Sequence, residues 1–286
     1  MIKTHSPRAG VAGWPVDHSR SPTIHRHWLK ELGLSGSYER FAVRPGEFGQ
    51  FAIQIGRGEL VGANVTAPHK EAAFKVCDRR TQVAEALGAV NTLWRQDGLL
   101  WGDNTDVGGF LANMDDSAPG WAGRAKLAVV IGAGGAARAI VYALKSRGFE
   151  RIAVVNRTQS RAEALAAHFG RPTQATRWSD LTADLREADL LVNASVLGMA
   201  GQPPLAVDPS ALPDQAVVAD IVYVPLRTPL IEAAGARGLR VAEGLGMLLH
   251  QAAPGFARWF GAQPTVTPAL RALVEAEVLA THMEAG

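Results

Sequence analysis

Short apolar runs alternate along the chain with stretches whose apolar residues recur at helical spacing, the pattern of strands interleaved with helices. The first half predicts strands at 11–14, 37–43 and 60–66. A closing pair follows at 89–94 and 99–101, around the turn Gln96-Asp97-Gly98. The helices between them are one opened by Ser21-Pro22 and closed by Gly33, one around 47–55, and short ones around 69–77 and 81–87. Ser21 reads as the cap of its helix, with proline in the first turn. A second series begins near Lys126, with strands at 127–131, 152–155, 190–194 and 217–223 and helices at 136–147 and 160–169. Repetition of strand, helix and strand implies right-handed crossovers and a mostly parallel sheet.

After Tyr223 no further strand is predicted. Leu245, Leu248, Leu249, Ala252, Phe256 and Trp259 recur at helical spacing, and Thr267-Pro268 opens a last helix carrying Leu270, Leu273, Val274 and Val278. The fold class is therefore α/β with two domains: an N-terminal α/β domain and a doubly wound Rossmann domain, with the C-terminal helices packing back on the first. The expected boundaries are 1–106 plus 244–286 for one domain and 107–243 for the other. A length of 286 residues agrees with that number of domains.

Composition narrows the setting. A hydrophobic share of 47% suffices for a sizeable core, and 29 basic against 27 acidic residues leave a net charge of only +2. Despite a pI of 8.8, so small a charge creates no field to draw nucleic acid or an acidic membrane. Cys77 is the only cysteine, which excludes an intramolecular disulfide and fits a reducing cytoplasm. The first residues lack the continuous apolar stretch of a secretory signal. The most apolar window, 127–144, is interrupted by a glycine-rich turn and Arg138, and so reads as strand, turn and helix instead of a membrane span. A soluble, cytoplasmic protein is expected, with monomer and homodimer both open.

The most recognisable chemistry lies in VVIGAGGAARA. Gly132, Gly134 and Ala137 fit the spacing G-x-G-x-x-G/A between a strand and a helix, with Gly135 as an extra glycine. Such a turn lets the backbone approach a pyrophosphate at a helix N-terminus. An NAD-binding domain usually carries an acidic residue at the end of the next strand, on the ribose 2′-hydroxyl. Here that strand ends in Asn156-Arg157-Thr158, with Arg161 one turn later. Either arginine alone would pass for a solvated surface residue. The two together, with no carboxylate beside them, favour a 2′-phosphate and hence NADP(H).

Eight motifs in order then resemble those of the shikimate dehydrogenase family, over most of the chain. They are HSRSP (18–22), NVTAPHK (64–70), AVNT (89–92), GDNTD (102–106), IGAGGAARA (131–139), NRT (156–158), DIVYVPLRTPL (220–230) and EGLGMLLHQA (243–252). The resemblance implies an NADPH-dependent oxidoreductase acting on 3-dehydroshikimate and shikimate, with a substrate domain, an NADP domain and an active site between them. It also implies roles. Ser19 and Ser21 would bind the substrate carboxylate. Asn64, Thr66, Asn91 and Gln251 would hold ring hydroxyls or the carboxylate, and Tyr223 would close the pocket. Lys70 and Asp106 would form the catalytic pair. Gly132, Ala133, Gly134, Gly135, Ala136, Asn156, Arg157, Thr158, Arg161, Ile221 and Gly244 would line the cofactor.

These roles make physical sense beside the resemblance. A small, oxygen-dense substrate needs neutral donors and acceptors in fixed geometry. Lys70 sits in a first helical turn, where the dipole disfavours an ammonium and a nearby Asp106 would favour it. Each residue alone also has a plain explanation: Ser21 as a cap, Asp106 as a favourable charge at a helix start, Asn64 and Asn91 as strand ends. Lys70 has the least, because a lysine gains nothing in a first turn.

His18, His25 and His27 invite a metal reading, but the last two point to different faces of one helix and no Cys or carboxylate set joins them. No metal is expected, and Cys77 reads as a packed small hydrophobe. NASVLGM (193–199) and Gln82 depart slightly from the family pattern, and Ser195 keeps a hydroxyl there. Three other readings are weighed: a relative acting on quinate or another polyhydroxy acid, a catalytically silent sensor of shikimate or NADP, and an unrelated Rossmann protein. The arginines at 157 and 161 argue against an NAD-linked quinate enzyme, the retention of Lys70 and Asp106 against the sensor, and the N-terminal motifs against the unrelated protein.

Overall fold

The structure is a computed structural model that describes residues 6–284. The first five residues, part of the stretch on which the secretory-signal reading rests, lie outside the described residues. The chain folds into two compact units: residues up to Thr105 with Gln251–Val274, and Asp106–His250 with the residues from Glu275 onward.

The first unit runs β1 (Arg8–Gly13), α1 (Ser21–Glu31), β2 (Ser37–Ala42), α2 (Phe48–Gly56), β3 (Gly62–Val65), α3 (Lys70–Val76), β4 (Arg79–Arg80), α4 (Gln82–Leu87), β5 (Thr92–Gln96) and β6 (Leu99–Asp103). Its sheet has the order β2-β1-β3-β5-β6-β4. β1 pairs parallel with β2 and β3, whereas β5 runs antiparallel to β3 and β6. Alternation along β1 sends Ala9 and Val11 to a face shared with Tyr38, Trp94 and Trp259, and Ala12 to the opposite face with Phe51, Ile55 and Leu93. The sheet is thus buried on both sides. Cys77 packs under it, its Sγ donating to the Ala73 carbonyl at 3.0 Å, and burial pushes the thiol up to about 12.

One local expectation is corrected. Ser21 does not cap α1: Arg20 takes the N-cap position without a side-chain cap, and Ser21 is the buried first residue of the helix. The following proline fits either register, so the sequence left the start open by one residue.

The second unit contains α5 (Asp106–Ser117), β7 (Leu127–Ile131), α6 (Gly135–Ser146), β8 (Arg151–Val155), α7 (Gln159–Phe169), β9 (Thr173–Thr176), α8 (Leu181–Leu185), β10 (Leu190–Asn193), β11 (Val217–Asp220), α9 (Pro229–Ala236) and β12 (Arg240–Ala242). α10 (Gly244–Phe260) and α11 (Pro268–Glu284) follow. The sheet order is β12-β11-β10-β7-β8-β9 and every pairing is parallel. This is the doubly wound order, whose switch point lies between β7 and β10. β7 and β10 are buried along their whole length, as central parallel strands require.

The expectation that no strand follows Tyr223 is overturned by β12, which pairs with β11. β12 and β9 are the two edges of this sheet. Each is paired on one side only and lacks the continuous apolar run that marks a central strand. The predicted strand at 217–223 stops at Asp220. The compact units exchange the chain inside α10, between His250 and Gln251. Two contacts explain why the start of α10 stays with the second unit. A side chain on Gly244 would meet the Ile221 and Val222 carbonyls at 2.5 Å, and Gly246 lies against the Asn113 side chain. Among the described residues no helix is long and apolar enough to cross a membrane.

Candidate functional site

In the second unit the glycine turn sits at the switch point. Gly132 follows β7 with φ +114°, and a Cβ there would stand 2.8 Å from the Ala194 carbonyl just after β10. Only glycine combines that backbone with that approach. Gly134 takes the N-cap position of α6 without a side-chain cap, so the first N–H groups of the helix face outward from an exposed Gly134-Gly135 turn. Ala133 and Ala136, on either side of that turn, are half-buried.

A cavity of about 600 Å³ opens beside this turn, and it brings Gly132, Asn156, Arg157, Thr158 and Arg161 together. The Asn156 amide donates to the Thr158 carbonyl at 2.9 Å and fixes the loop after β8, while both arginines remain exposed. No carboxylate lines this cavity. Two exposed guanidinium groups beside an uncapped helix start make an anion site suited to a 2′-phosphate. Ala133, Gly134, Gly135, Ala136, Ile221 and Gly244 are not among the lining residues, although Ile221 and Gly244 touch one another. The cavity also takes in Trp178, Ser195, Val196, Pro203 and Ala206. Sequence reasoning assigned these no cofactor contact, because they come from loops that only the parallel sheet gathers.

The loops around β10 and β11 are tied by one carboxylate. Asp220 accepts from the Asn193 amide at 2.9 Å, the Val222 N–H at 2.9 Å and the Thr228 hydroxyl at 2.7 Å. Burial raises its pKa, and these hydrogen bonds partly oppose that. Asn193 in turn accepts from the Ser195 hydroxyl at 2.7 Å. The variant segment NASVLGM thus uses its serine to shape the loop.

In the first unit the motif residues form a buried network of uncharged groups. The Tyr38 hydroxyl donates to Asn64 Oδ1 at 2.6 Å, and the Asn64 amide donates to the Asn91 carbonyl at 3.3 Å and to Thr92 Oγ1 at 3.2 Å. Asn91 Oδ1 accepts from the Thr92 hydroxyl at 2.9 Å and the Thr105 N–H at 2.8 Å. Ser21 hydrogen-bonds the same phenol, whose pKa burial drives well above the usual tyrosine value. His25 stacks flat on Tyr38, ring centroids 3.9 Å apart, and burial lowers its pKa to about 3. Tyr38, Thr92 and Thr105 belong to this network although the sequence does not single them out. Inward alternation on β2 marks Tyr38, and the two threonines lie inside motifs already noted.

Lys70 is the first residue of α3, half-buried, and its carbonyl accepts from Val90 N at 2.9 Å. The start of α3 is therefore tied to the residue before Asn91. Thr66 follows β3, its N–H on the Ala12 carbonyl at 2.9 Å. Ser19 sits in the turn before α1, its Oγ accepting from Ser21 N at 3.4 Å and its carbonyl bound by Arg40 at 2.6 Å. Gln251 belongs to this unit, whereas Asp106, buried at the start of α5, and the half-buried Tyr223 belong to the second. Among the described residues no three His, Cys, Asp or Glu side chains cluster to hold a metal ion.

A glycine turn at a doubly wound switch point, a basic cavity beside it, and a second α/β unit rich in buried amides and hydroxyls define a nicotinamide-dinucleotide-dependent dehydrogenase. Family models agree on the particular kind. The "Shikimate dehydrogenase substrate binding domain" matches residues 11–93, "Shikimate / quinate 5-dehydrogenase" matches 121–198, and "Shikimate 5'-dehydrogenase C-terminal domain" matches 244–274. The chain is 58% identical to the shikimate dehydrogenase (NADP(+)) of Methylocella silvestris, over 96% of this chain and 97% of that one. It is 53% identical to the enzyme of the same name from Azorhizobium caulinodans, with the same coverage. Among solved structures it is similar to shikimate 5-dehydrogenase from Thermus thermophilus in complex with NADP(H) and shikimate, with a TM-score of 0.81, 37% identity, and 96% and 99% of the two chains covered. It is also similar to quinate dehydrogenase from Corynebacterium glutamicum in complex with NAD, with a TM-score of 0.86, 30% identity and the same coverage. The chain belongs to the shikimate dehydrogenase family.

Proposed function

We propose that the protein catalyses the reversible NADPH-dependent reduction of 3-dehydroshikimate to shikimate, a step of aromatic amino-acid biosynthesis, and does so in the cytoplasm. Residues 1–106 with 244–286 serve as the substrate-binding and catalytic domain, and 107–243 as the NADP-binding domain. One observation carries the reading. The first unit fixes Asn64 and Asn91 in a buried network of neutral groups, and ties the start of α3, where Lys70 stands, to Val90, the residue before Asn91. That arrangement suits a small polyhydroxy acid, which apolar walls or a charged patch would not orient.

The chain's part in the reaction is position and proton transfer. Ser19 and Ser21 hold the substrate carboxylate. Asn64, Thr66, Asn91 and Gln251 hold its hydroxyls, with Tyr223 closing the pocket. Lys70 exchanges the proton at the C3 oxygen, and Asp106 orients the ammonium and the substrate. Arg157 and Arg161 bind the 2′-phosphate of NADP(H), with Asn156 and Thr158 shaping the loop beneath it. Gly132, Ala133, Gly134, Gly135 and Ala136 admit the pyrophosphate, and Ile221 with Gly244 borders the nicotinamide half. When bound, NADPH supplies the hydride.

Lys70→Ala and Asp106→Asn test this directly. Each should lower kcat by a factor on the order of 10²–10⁴, while calorimetry still detects binding of shikimate and of NADP+. Wild-type turnover of shikimate that survives in Lys70→Ala would remove Lys70 from the chemistry.

A further inference from the structure

We propose that Trp178 is the adenine-recognising residue of the basic cavity, its indole forming one wall of a slot for the purine of NADP(H). The inference rests on the cofactor reading above and adds a residue to it. The chemistry of the ligand starts the argument. In NADP(H) the 2′-phosphate and the adenine hang from adjacent carbons of one ribose. Wherever Arg157 and Arg161 place the phosphate, the base must therefore lie in the same cavity a few ångströms away. A purine is flat and apolar on its faces, so its site needs an apolar or aromatic wall beside the arginines.

The second unit offers such a wall in this same cavity. Trp178 and Val196 are among the large apolar side chains left in solvent, 40% and 55% exposed, and both line the cavity that holds Arg157 and Arg161. Pro203 and Ala206 border it as well. An exposed tryptophan forgoes the burial that an aromatic of this size normally gains. Trp178 is absent from the hydrophobic cluster that takes in Leu181 and Leu185, its near neighbours in sequence. It also borders a second cavity of about 200 Å³ shared with those two residues, so the indole stands as a partition between two open spaces. The core does not explain its position.

Topology explains why it stands there. β9 pairs parallel with β8 in a register that sets Val155 opposite Thr176. Asn156-Arg157 follows β8 and Trp178 follows β9 at the same carboxyl edge of the sheet, where doubly wound folds bind their ligands. A short 3₁₀ turn, Trp178–Asp180, begins with the tryptophan at that edge. β9 thus has a use beyond closing the sheet: it carries the base-binding residue beside the phosphate-binding one.

Calorimetric titration with NADP+ and with adenosine 2′,5′-bisphosphate tests the proposal, on wild type, Trp178→Ala and Trp178→Phe. The smaller ligand retains the adenine and the 2′-phosphate but lacks the nicotinamide. Trp178→Ala should weaken both ligands by a similar factor of about ten or more, the loss of one base–aromatic stack. Trp178→Phe should recover most of that affinity, and the KM for shikimate at saturating NADP+ should not change. If alanine unfolds the protein, Trp178→Leu is read in its place, since it keeps apolar bulk without a flat face. Wild-type affinity for both ligands in Trp178→Ala, or in Trp178→Leu where alanine unfolds the protein, overturns the role of Trp178 and leaves the cofactor reading standing. Failure of the wild-type protein to bind NADP+ at all overturns the cofactor reading itself.

Discussion

At the scale of single residues, the site is built on groups that burial holds uncharged. His25 is the clearest case: fully buried and stacked on Tyr38, it is kept neutral by desolvation down to about pH 3, with Asn64 pulling weakly the other way. In the unfolded chain its pKa returns to about 6.5. Between those values the unfolded state binds the extra proton, so His25 lowers stability as pH falls, by up to about 1.4 kcal/mol per pH unit. Urea unfolding of wild type and His25→Phe from about pH 7 to pH 4 should show the steeper loss only in wild type. Parallel curves would refute the assignment. The arginines give a second prediction. Arg157→Ala and Arg161→Ala should each weaken NADP+ by about tenfold, the size of one charge-assisted contact, and leave NAD+ nearly unchanged. Equal losses for both cofactors, measured by calorimetry, would place the arginines elsewhere. These residues were legible because the sequence shows charge type and position at a strand end. Tyr38 was not singled out, because its importance comes from the register of β2 against β1, which sets Tyr38 opposite Ala9, and from Asn64 beyond.

At the scale of elements, legibility followed pairing. Central strands such as β7, β8 and β10 are buried on both faces, so their apolar runs announce them. The edges β9 and β12, and the two-residue β4, carry no such run and escaped notice. α1 was found but its cap was misplaced by one residue. The connection between β7 and α6 yields a sharp test. Gly132→Ala combines a positive φ with a clash against the Ala194 carbonyl. It should either destabilise the protein by about 1–3 kcal/mol or push the turn outward. In both cases NADP+ binding falls, as calorimetry would show, and an unaltered affinity would contradict the geometry. The loops after β10 and β11 yield another. Asp220→Ala leaves the Val222 N–H, the Thr228 hydroxyl and the Asn193 amide without their acceptor. A loss of roughly 2–3 kcal/mol in urea unfolding is expected, and a change below about 0.5 kcal/mol would show that the network does not hold the loops.

At the scale of the whole molecule, the two-domain α/β character was legible because the chain repeats strand, helix and strand, then changes to pure helical spacing. Nothing in the periodicity of α10 records that its first residues are pinned by Gly244 against Ile221 and by Gly246 against Asn113. The glycine turn and the basic cavity lie in one unit and the buried network of amides and hydroxyls in the other, and the proposed function has both serve one reaction. The most direct test is the rate of reduced-cofactor formation by the purified protein with shikimate or quinate, each paired with NADP+ or NAD+. Shikimate with NADP+ should be the fastest pair by at least about tenfold, and Lys70→Ala should lower its rate by a factor on the order of 10²–10⁴. A preference for quinate with NAD+, or no turnover with any pair by folded protein, would contradict the account.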